Sequence, residues 1–317
     1  MQKIMDDCEL LLPQVTEENI CLPLAISAVS KYWNIDLPIS EAQTIAKKYP
    51  NIRGSILIEG IELAQRQGLD SLILHSSISS LKKIINMGIP PIVILPGLYE
   101  TVQHASVISG FSESEKTIIH YIPQHNQIGA IPEKIFEKLW QEDGMLMILI
   151  APSDIISKIS LENKSKEKSN RLCFISEKLN LLGKPDEAIQ SLKDAITLDS
   201  SNSTALCLLG GIYNEKNSSE CTQYYLKSIE SNKNCYLAYR GLGNYYLKTK
   251  QYDEAEKFYT SAIGINESRF GPIYKNRGIA RMSLNKNNDA KKDLENYLKY
   301  TPNAKDRDDI IQTIREI

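Results

Sequence analysis

The chain has 317 residues, a length at which two domains are the natural expectation. Its 42% hydrophobic and 24% charged residues are typical of a globular protein with a buried core, and a formal net charge of -2 gives no reason to expect nucleic acid as a partner. The N-terminus lacks the basic start of a signal peptide, and the apolar runs fall short of the ~20 residues that span a bilayer. We therefore expect a soluble, cytoplasmic protein without a membrane span.

The six cysteines are scattered along the chain, and no two of them form a CxxC pair. Zinc ribbons and redox motifs need that close spacing, so the pattern argues against both and favours a reducing compartment. The four histidines show no metal-ligand spacing, and the sequence contains no glycine-rich phosphate loop. We expect neither a metal nor a cofactor.

The first 150 residues or so contain both helical and strand-like sequence patterns. Apolar residues at helical spacing predict helices over residues 21–33, 40–49 and 56–67, the last ending at Gly68. Short β-branched or apolar runs then predict strands, with one further helix over residues 132–141; the predicted strands are 72–74, 91–95, 104–111, 117–122 and 146–150. Helices first and an antiparallel sheet afterwards indicate an α+β domain.

A polar, charged segment follows at residues 161–170, LENKSKEKSN, and the chain beyond it reads as helical almost to its end. The sequence therefore predicts an N-terminal domain over residues 1–155, a polar linker over 156–169 and a helical domain over 170–317.

The helical domain repeats itself. Four small residues lie 33, 34 and 35 positions apart, and a large apolar residue follows each of them four positions later; the small residues are Ala188, Cys221, Ala255 and Ala290, and the large ones Leu192, Tyr225, Tyr259 and Leu294. A small residue lets two helices cross closely, and the large residue fills the space toward the next unit. The pattern predicts four stacked helical hairpins, with residues 308–317 as a capping helix.

This pattern resembles tetratricopeptide repeats over roughly residues 170–303. The resemblance implies an all-α solenoid that binds a protein or peptide partner on its concave face. Six residues are candidates to line that face: Arg240, Asn244, Tyr245, Lys248, Lys275 and Arg281. Each of them could equally be a solvated surface residue that contacts no partner.

A second resemblance covers about residues 10–152. Gln14 precedes the run from Cys21 to Ala25 at the start of the first long helix, Gly88 and Pro90 precede a central strand, and a strand runs from His104 to a glycine. This order is similar to the papain-like cysteine peptidases that process double-glycine leader peptides, whose cysteine opens a helix after a glutamine. The implied fold is an α+β papain-like domain.

The resemblance implies thiol acyl transfer. Cys21 would attack a peptide carbonyl, His104 would take and return the proton, and Gln14 would help to hold the oxyanion. The helix N-terminus would itself favour a thiolate at Cys21.

The sequence departs from that family at three places. Ile122 stands where an aspartate would orient the histidine, Leu22 replaces the glycine after the cysteine, and Gln14 lies about one position farther from Cys21 than expected. An isoleucine cannot accept a hydrogen bond, but His120, His125 and Asn126 lie close in sequence and could supply the orienting group.

Three functions stay open. The chain could be a cysteine peptidase whose repeats recruit its substrate, or a degenerate peptidase-like domain that acts with the repeats as a binding adaptor. It could also be an assembly scaffold without a peptide substrate.

Overall fold

The computed structural model describes residues 7–10, 12, 21–37, 57–97, 103–122, 127–159 and 163–317. The chain divides into two compact units, the first of residues 1–95 with 104–205 and the second of residues 96–103 with 206–317. Four features predicted from sequence lie outside the described residues: Gln14, the helix over 40–49, His125 and Asn126.

The N-terminal part mixes strands and helices. Its elements, in chain order, are β1 (Asp7–Glu9), α1 (Cys21–Tyr32), α2 (Leu57–Arg66), β2 (Leu69–His75), α3 (Ile78–Asn86), β3 (Ile92–Pro96), β4 (Gln103–Ser112), β5 (Thr117–Ile122), β6 (Gln127–Pro132), α4 (Glu133–Gln141), β7 (Leu146–Pro152) and α5 (Ser153–Ile156). The strands form one sheet in the order β2-β7-β3-β4-β5-β6, with β1 added beside β4. This confirms a mixed N-terminal region with an antiparallel sheet, although helices and strands alternate instead of forming two blocks.

The most apolar strands lie inside the sheet. Strand β7 pairs in antiparallel fashion with β2 on one side and β3 on the other, and its residues from Leu146 to Ala151 are all buried. Strand β3, whose run from residue 91 to 95 is apolar throughout, is flanked by β7 and β4. A run without polar residues suits a strand covered on both faces, which is why these two were readable from sequence.

Four elements of the N-terminal part were not predicted from the sequence, namely β1, α3, β6 and α5. Helix α3 is short, and its signals are the Ser77 cap, which accepts a hydrogen bond from the Ser80 amide, and one buried apolar face. Strand β6 carries Gly129 and Pro132, which both disfavour strands. Gly129 is needed there because a Cβ atom would lie 2.9 Å from Nε2 of His120 on the neighbouring strand. A close contact between two strands, such as this one, gives no signal in the sequence around the glycine.

Helix α6 (Lys164–Leu181) begins inside the segment predicted as a linker. The Asn163 side chain accepts hydrogen bonds from the amides of Ser165 and Lys166, which caps the helix and explains its early start. Polar residues over 164–169 are compatible with a helix whose outer face is solvated, so polarity alone did not mark its beginning.

The same helix covers the outer edge of strand β2. Asn170 Nδ2 donates to the carbonyl of Ile73 at 2.9 Å, and Arg171 donates to the carbonyl of Ser71 at 2.8 Å. Farther along the helix, Lys178 pairs with Glu62 of α2 at 2.7 Å. Carbonyls on an edge strand are open acceptors, and α6 satisfies two of them.

We expect Asn170→Ala to lower the free energy of unfolding of the first unit by about 2 kcal/mol. Asn170 is buried, and its Oδ1 also accepts a hydrogen bond from Asn202 at 2.9 Å. The substitution therefore removes a hydrogen-bond partner from both the Ile73 carbonyl and the Asn202 amide. Tryptophan fluorescence in urea reports this unit, because Trp33 and Trp140 both belong to it.

Asn86→Ala, at the exposed end of α3 in the same unit, is the control and should change stability by less than about 0.5 kcal/mol. Equal effects of the two substitutions would contradict the assigned contact.

Paired helices make up the C-terminal part, as predicted. After α6 come α7 (Pro185–Leu198), α8 (Ser203–Glu215), α9 (Glu220–Ser231), α10 (Tyr236–Lys248), α11 (Tyr252–Ile265), α12 (Pro272–Ser283), α13 (Asn287–Tyr300) and α14 (Arg307–Glu316). Each turn inside a hairpin contains one residue with positive φ, namely Gly183, Asn217, Lys250 and Asn285. A left-handed residue is a common way to end a helix, and here it recurs once in every hairpin.

The predicted packing residues are buried throughout. All eight small and large positions of the repeat pattern have at most 5% of their surface exposed. In the second unit, the Tyr225 ring lies so close to Gly210 and Gly241 that a Cβ atom on either glycine would overlap it. Gly243 meets Tyr259 in the same way. Glycine is required at these crossings because any side chain would push the rings out.

We expect Gly241→Ala to destabilise the second unit by about 1–3 kcal/mol, because the new methyl group would overlap the Tyr225 ring. Gly264→Ala is the matched control, since a Cβ atom added there would meet no atom of the described residues within 4 Å, and alanine favours a helix by up to about 1 kcal/mol. Urea unfolding followed by circular dichroism should give opposite signs for the two substitutions. The same sign for both would contradict the packing argument.

Candidate functional site

Helix α1 is firmly held in the first unit. The Trp33 indole, just after the helix, donates to the carbonyl of Ile150 in β7 at 2.9 Å, and the Tyr32 hydroxyl donates to the carbonyl of Gly88 at 2.9 Å. Helix α2 approaches closely, since a Cβ atom on Gly60 would overlap the Ile26 side chain. The helix that carries the candidate nucleophile is thus fixed to the sheet and to its neighbour.

Cys21 is the first residue of α1, as predicted from the sequence. The first amides of a helix have no intrahelical partner, and the helix dipole favours negative charge there, so this position suits a thiolate. Leu22, which takes the place of the family's glycine, has only 6% of its surface exposed and belongs to the buried core. The Cys21 side chain lies outside the described structure, as does Gln14.

His104 is the second residue of β4 and is half-buried. Its strand is held from both sides, because β1 pairs with it through Cys8 and Phe111 and β5 pairs with it through Val107 and Tyr121. A histidine at this place agrees with the predicted strand position. The pairing of His104 with Cys21 stays a prediction.

His120 contacts the strand that carries His104. Its Nδ1 lies 3.0 Å from Oγ of Ser106, which also donates to the carbonyl of Tyr121 at 3.2 Å. Since the serine hydroxyl has one proton, this arrangement makes Nδ1 of His120 the donor to Ser106. Burial lowers the pKa of His120, which favours the neutral ring. The described bond of His120 therefore ties β5 to β4, and its predicted role in orienting His104 stays a prediction.

Ile122 ends strand β5, opposite Gln127 of β6. The position at which the resemblance implies an aspartate is thus a strand end. The adjoining residues 123–126, which include His125 and Asn126, lie outside the described structure.

Two of the residues predicted to line the concave face form ion pairs within the fold. Arg281 binds Glu256 at 2.9 Å and Asp293 at 2.9 Å, and its side chain is 15% exposed. Lys275 binds Asp306 at 2.8 Å and holds the pKa of that carboxyl below its ordinary value. Each of these cations already has a carboxylate partner, so its charge is neutralised within the fold. Their place on the concave face stays a prediction.

The ion pairs around Arg281 continue into the core. Arg277 donates two parallel bonds to the Asp293 carboxylate at 2.9 and 2.7 Å and a third to Thr260 at 3.0 Å. Buried charges of this kind are stable only when paired, so these residues serve the assembly of the hairpins. The bidentate pair joins α12 to α13, and Thr260 adds α11.

The other four candidates lie on α10. The Arg240 guanidinium lies 4.9 Å from the centre of the Phe270 ring, and Lys248 is exposed.

The Tyr245 ring on the same helix stands edge-on to Tyr246, with the ring centres 5.4 Å apart. Asn244 Oδ1 accepts from the Tyr259 hydroxyl at 2.8 Å. Helix α10 thus keeps polar groups that the described hairpins do not neutralise.

Two residues near this helix were not identified from sequence. Arg269 is fully buried, with its guanidinium 4.8 Å from the Tyr236 ring. Ile279 is 38% exposed on α12, and it follows Asn244 by the same 35 positions that separate the last two small residues of the repeat pattern, so the repeat spacing aligns the two residues. That alignment could have revealed Ile279, whereas an arginine in an inter-helix turn gives no signal that it is buried.

Neither a metal centre nor a membrane helix stands out. The described residues contain no group of three metal-binding side chains, and no helix among them has the length and apolar character needed to cross a bilayer.

Comparison with known proteins identifies the helical region. Residues 238–269 match the tetratricopeptide repeat family, and the C-terminal half contains such repeats. Solved structures similar to the chain include pilF of Pseudomonas aeruginosa, with 19% identity over 48% of this chain and 71% of that one and a TM-score of 0.44. MamA of Desulfovibrio magneticus RS-1 has 16% identity over 47% of this chain and 93% of that one, with a TM-score of 0.41. A search of curated proteins gives no match.

Proposed function

We propose that the repeat region binds an extended segment of a protein partner along the first helices of its hairpins. The observation that carries this proposal is a set of groups on α10 and α12 that, among the described residues, keep a free donor or an exposed apolar surface. Arg240, Asn244 and Lys248 lie one turn apart on α10, and the exposed Ile279 occupies the equivalent place on α12. Available donors beside an exposed apolar side chain are what a peptide-binding surface offers.

Ile279→Ser tests the proposed surface in the full chain. We expect it to weaken binding to an array of short peptides of mixed composition by about tenfold, because a buried apolar contact contributes about 1–2 kcal/mol. Leu226→Ser is the matched control, since Leu226 is 49% exposed but lies on α9, the second helix of its hairpin. Thermal melts establish that both variants fold.

Either of two results would contradict the proposed surface. One is an array on which no peptide binds the full chain, and the other is an equal loss of binding in the Leu226→Ser and Ile279→Ser variants.

A second function, thiol acyl transfer at Cys21, is favoured by the position of that residue. The first residue of a fixed helix is a place where a thiolate is stabilised, and the order of elements around it resembles the leader-peptidase family. In this proposal the Cys21 thiolate attacks a peptide carbonyl, the released amine takes the proton held by His104, and water then hydrolyses the thioester. Gln14 would donate to the oxyanion.

The alternative is a degenerate domain that acts with the repeats as an adaptor. Ile122 supports it, since without an orienting carboxylate a related triad loses about 10⁴-fold in rate. The two alternatives differ in one chemical property, the pKa of the Cys21 thiol.

Iodoacetamide labelling of Cys21 against pH separates these alternatives, with each cysteine followed by mass spectrometry in the full chain. An activated thiol should react quickly near pH 6, about two units below an ordinary cysteine, and His104→Ala should slow it. Cys8 is an internal reference, because it is half-buried and burial raises the pKa of its thiol.

The peptidase proposal would be contradicted if the labelling rate of Cys21 rose only near about pH 8.5 and His104→Ala left it unchanged. The adaptor would then be the better description of the N-terminal domain.

A further inference from the structure

Three residues on one side of helix α10 carry hydrogen-bond donors. Arg240, Asn244 and Lys248 are spaced four residues apart, so their side chains follow one another along the same side of the helix. We call these three residues the donor stripe.

Arg240 keeps its charge without a carboxylate partner among the described residues. Its guanidinium lies over the Phe270 ring at 4.9 Å and is half-buried. Loss of solvent contact and, to a smaller extent, the positive charge of the nearby Arg269 lower the pKa of Arg240. A carboxylate beside Arg240 would relieve both effects.

Asn244 presents its amide hydrogens. Its Oδ1 accepts from the Tyr259 hydroxyl at 2.8 Å and from Asn276 Nδ2 at 3.4 Å, so the acceptor end of the amide is occupied. The Nδ2 group has no partner within the described part of the chain. Tyr259 thereby fixes the direction in which Asn244 can donate.

Lys248 completes the stripe at the C-terminal end of α10. It is exposed, and no carboxylate of the described residues forms an ion pair with it. The contrast with α12 is clear, because there Lys275, Arg277 and Arg281 all bind carboxylates. Positive charge is therefore available on α10 and neutralised on α12.

We propose that the donor stripe binds an acidic, extended segment of a protein partner, with one carboxylate at Arg240, another at Lys248 and a backbone carbonyl at Asn244. This inference rests on the proposed function of the repeats and names the partner's chemistry. Arg240 and Lys248 are separated by roughly 12 Å along the helix, at about 1.5 Å per residue. Four residues of an extended chain span about 13 Å and return the side chain to the same side. The favoured partner therefore has acidic residues four positions apart.

Fluorescence anisotropy with the full chain tests the spacing and the charge together. The probe is a labelled peptide of serine and threonine that carries two glutamates four positions apart, and its controls are the glutamine version and a version with the glutamates five positions apart. We expect the first peptide to bind about tenfold more tightly than either control at low salt, and to lose most of that advantage near 0.3 M NaCl.

Variants of the stripe should weaken binding of this peptide. Lys248→Gln and Arg240→Gln are each expected to raise its Kd about tenfold, since a charge-assisted hydrogen bond contributes about 1.5–3 kcal/mol. Lys233→Gln removes the same charge from an exposed residue in the turn before α10 and should leave the Kd unchanged. Because Lys248 is exposed, its variant tests the stripe even if Arg240→Gln destabilises the fold.

The outcomes separate this inference from the proposed function. If array peptides bind in an Ile279-dependent way but show no preference for carboxylates, the acidic partner is wrong and partner binding stands. If no array peptide binds, both fail. A Lys233→Gln effect equal to that of Lys248→Gln would also overturn the stripe, since it would show attraction by net charge alone.

Discussion

The close crossing of paired helices is the constraint on which the repeat region depends. Ala188, Cys221, Ala255 and Ala290 have none of their surface exposed, and glycines meet the rings of Tyr225 and Tyr259. Such crossings fix how each helix is rotated about its own axis, so they decide which side chains turn toward the packing and which do not. The donor stripe on α10 is a consequence of that rotation: Leu242 and Gly243 are buried, and Arg240, Asn244 and Lys248 are left outside the crossing.

The same constraint explains why the repeats could be predicted from sequence and the ligand-facing residues only in part. Packing positions recur with a fixed spacing, and the burial of all four small residues from Ala188 to Ala290 confirmed it. Whether a cation is available depends on acids far away in sequence, and nothing in the sequence near Arg281 or Lys275 indicates Glu256 or Asp306. Two of the six candidates, Lys275 and Arg281, are neutralised by ion pairs between elements, and the sequence around them did not indicate this.

In the N-terminal domain, local signals were read correctly and long-range ones were not. The unbroken apolar runs of β3 and β7 predicted strands, both of which lie inside the sheet, and Cys21 does open a helix. Strand β6 was missed because its Gly129 is required by His120 on another strand, and the start of α6 was missed because its polar residues look like a linker. The chemistry proposed for Cys21 depends on a contact with His104, which a periodic pattern cannot encode.

Helix α6 has a consequence for the order in which the chain is made. The carbonyl of Ile73 on the edge of β2 is bound by Asn170, which lies 97 residues later. At about 5–20 residues per second, translation leaves that edge bare for roughly 5–20 s. An uncovered strand edge is a template for pairing with another chain, so the nascent protein passes through an interval of exposure to aggregation that the finished one does not have. The length of that interval is set by sequence distance and not by the stability of the finished fold.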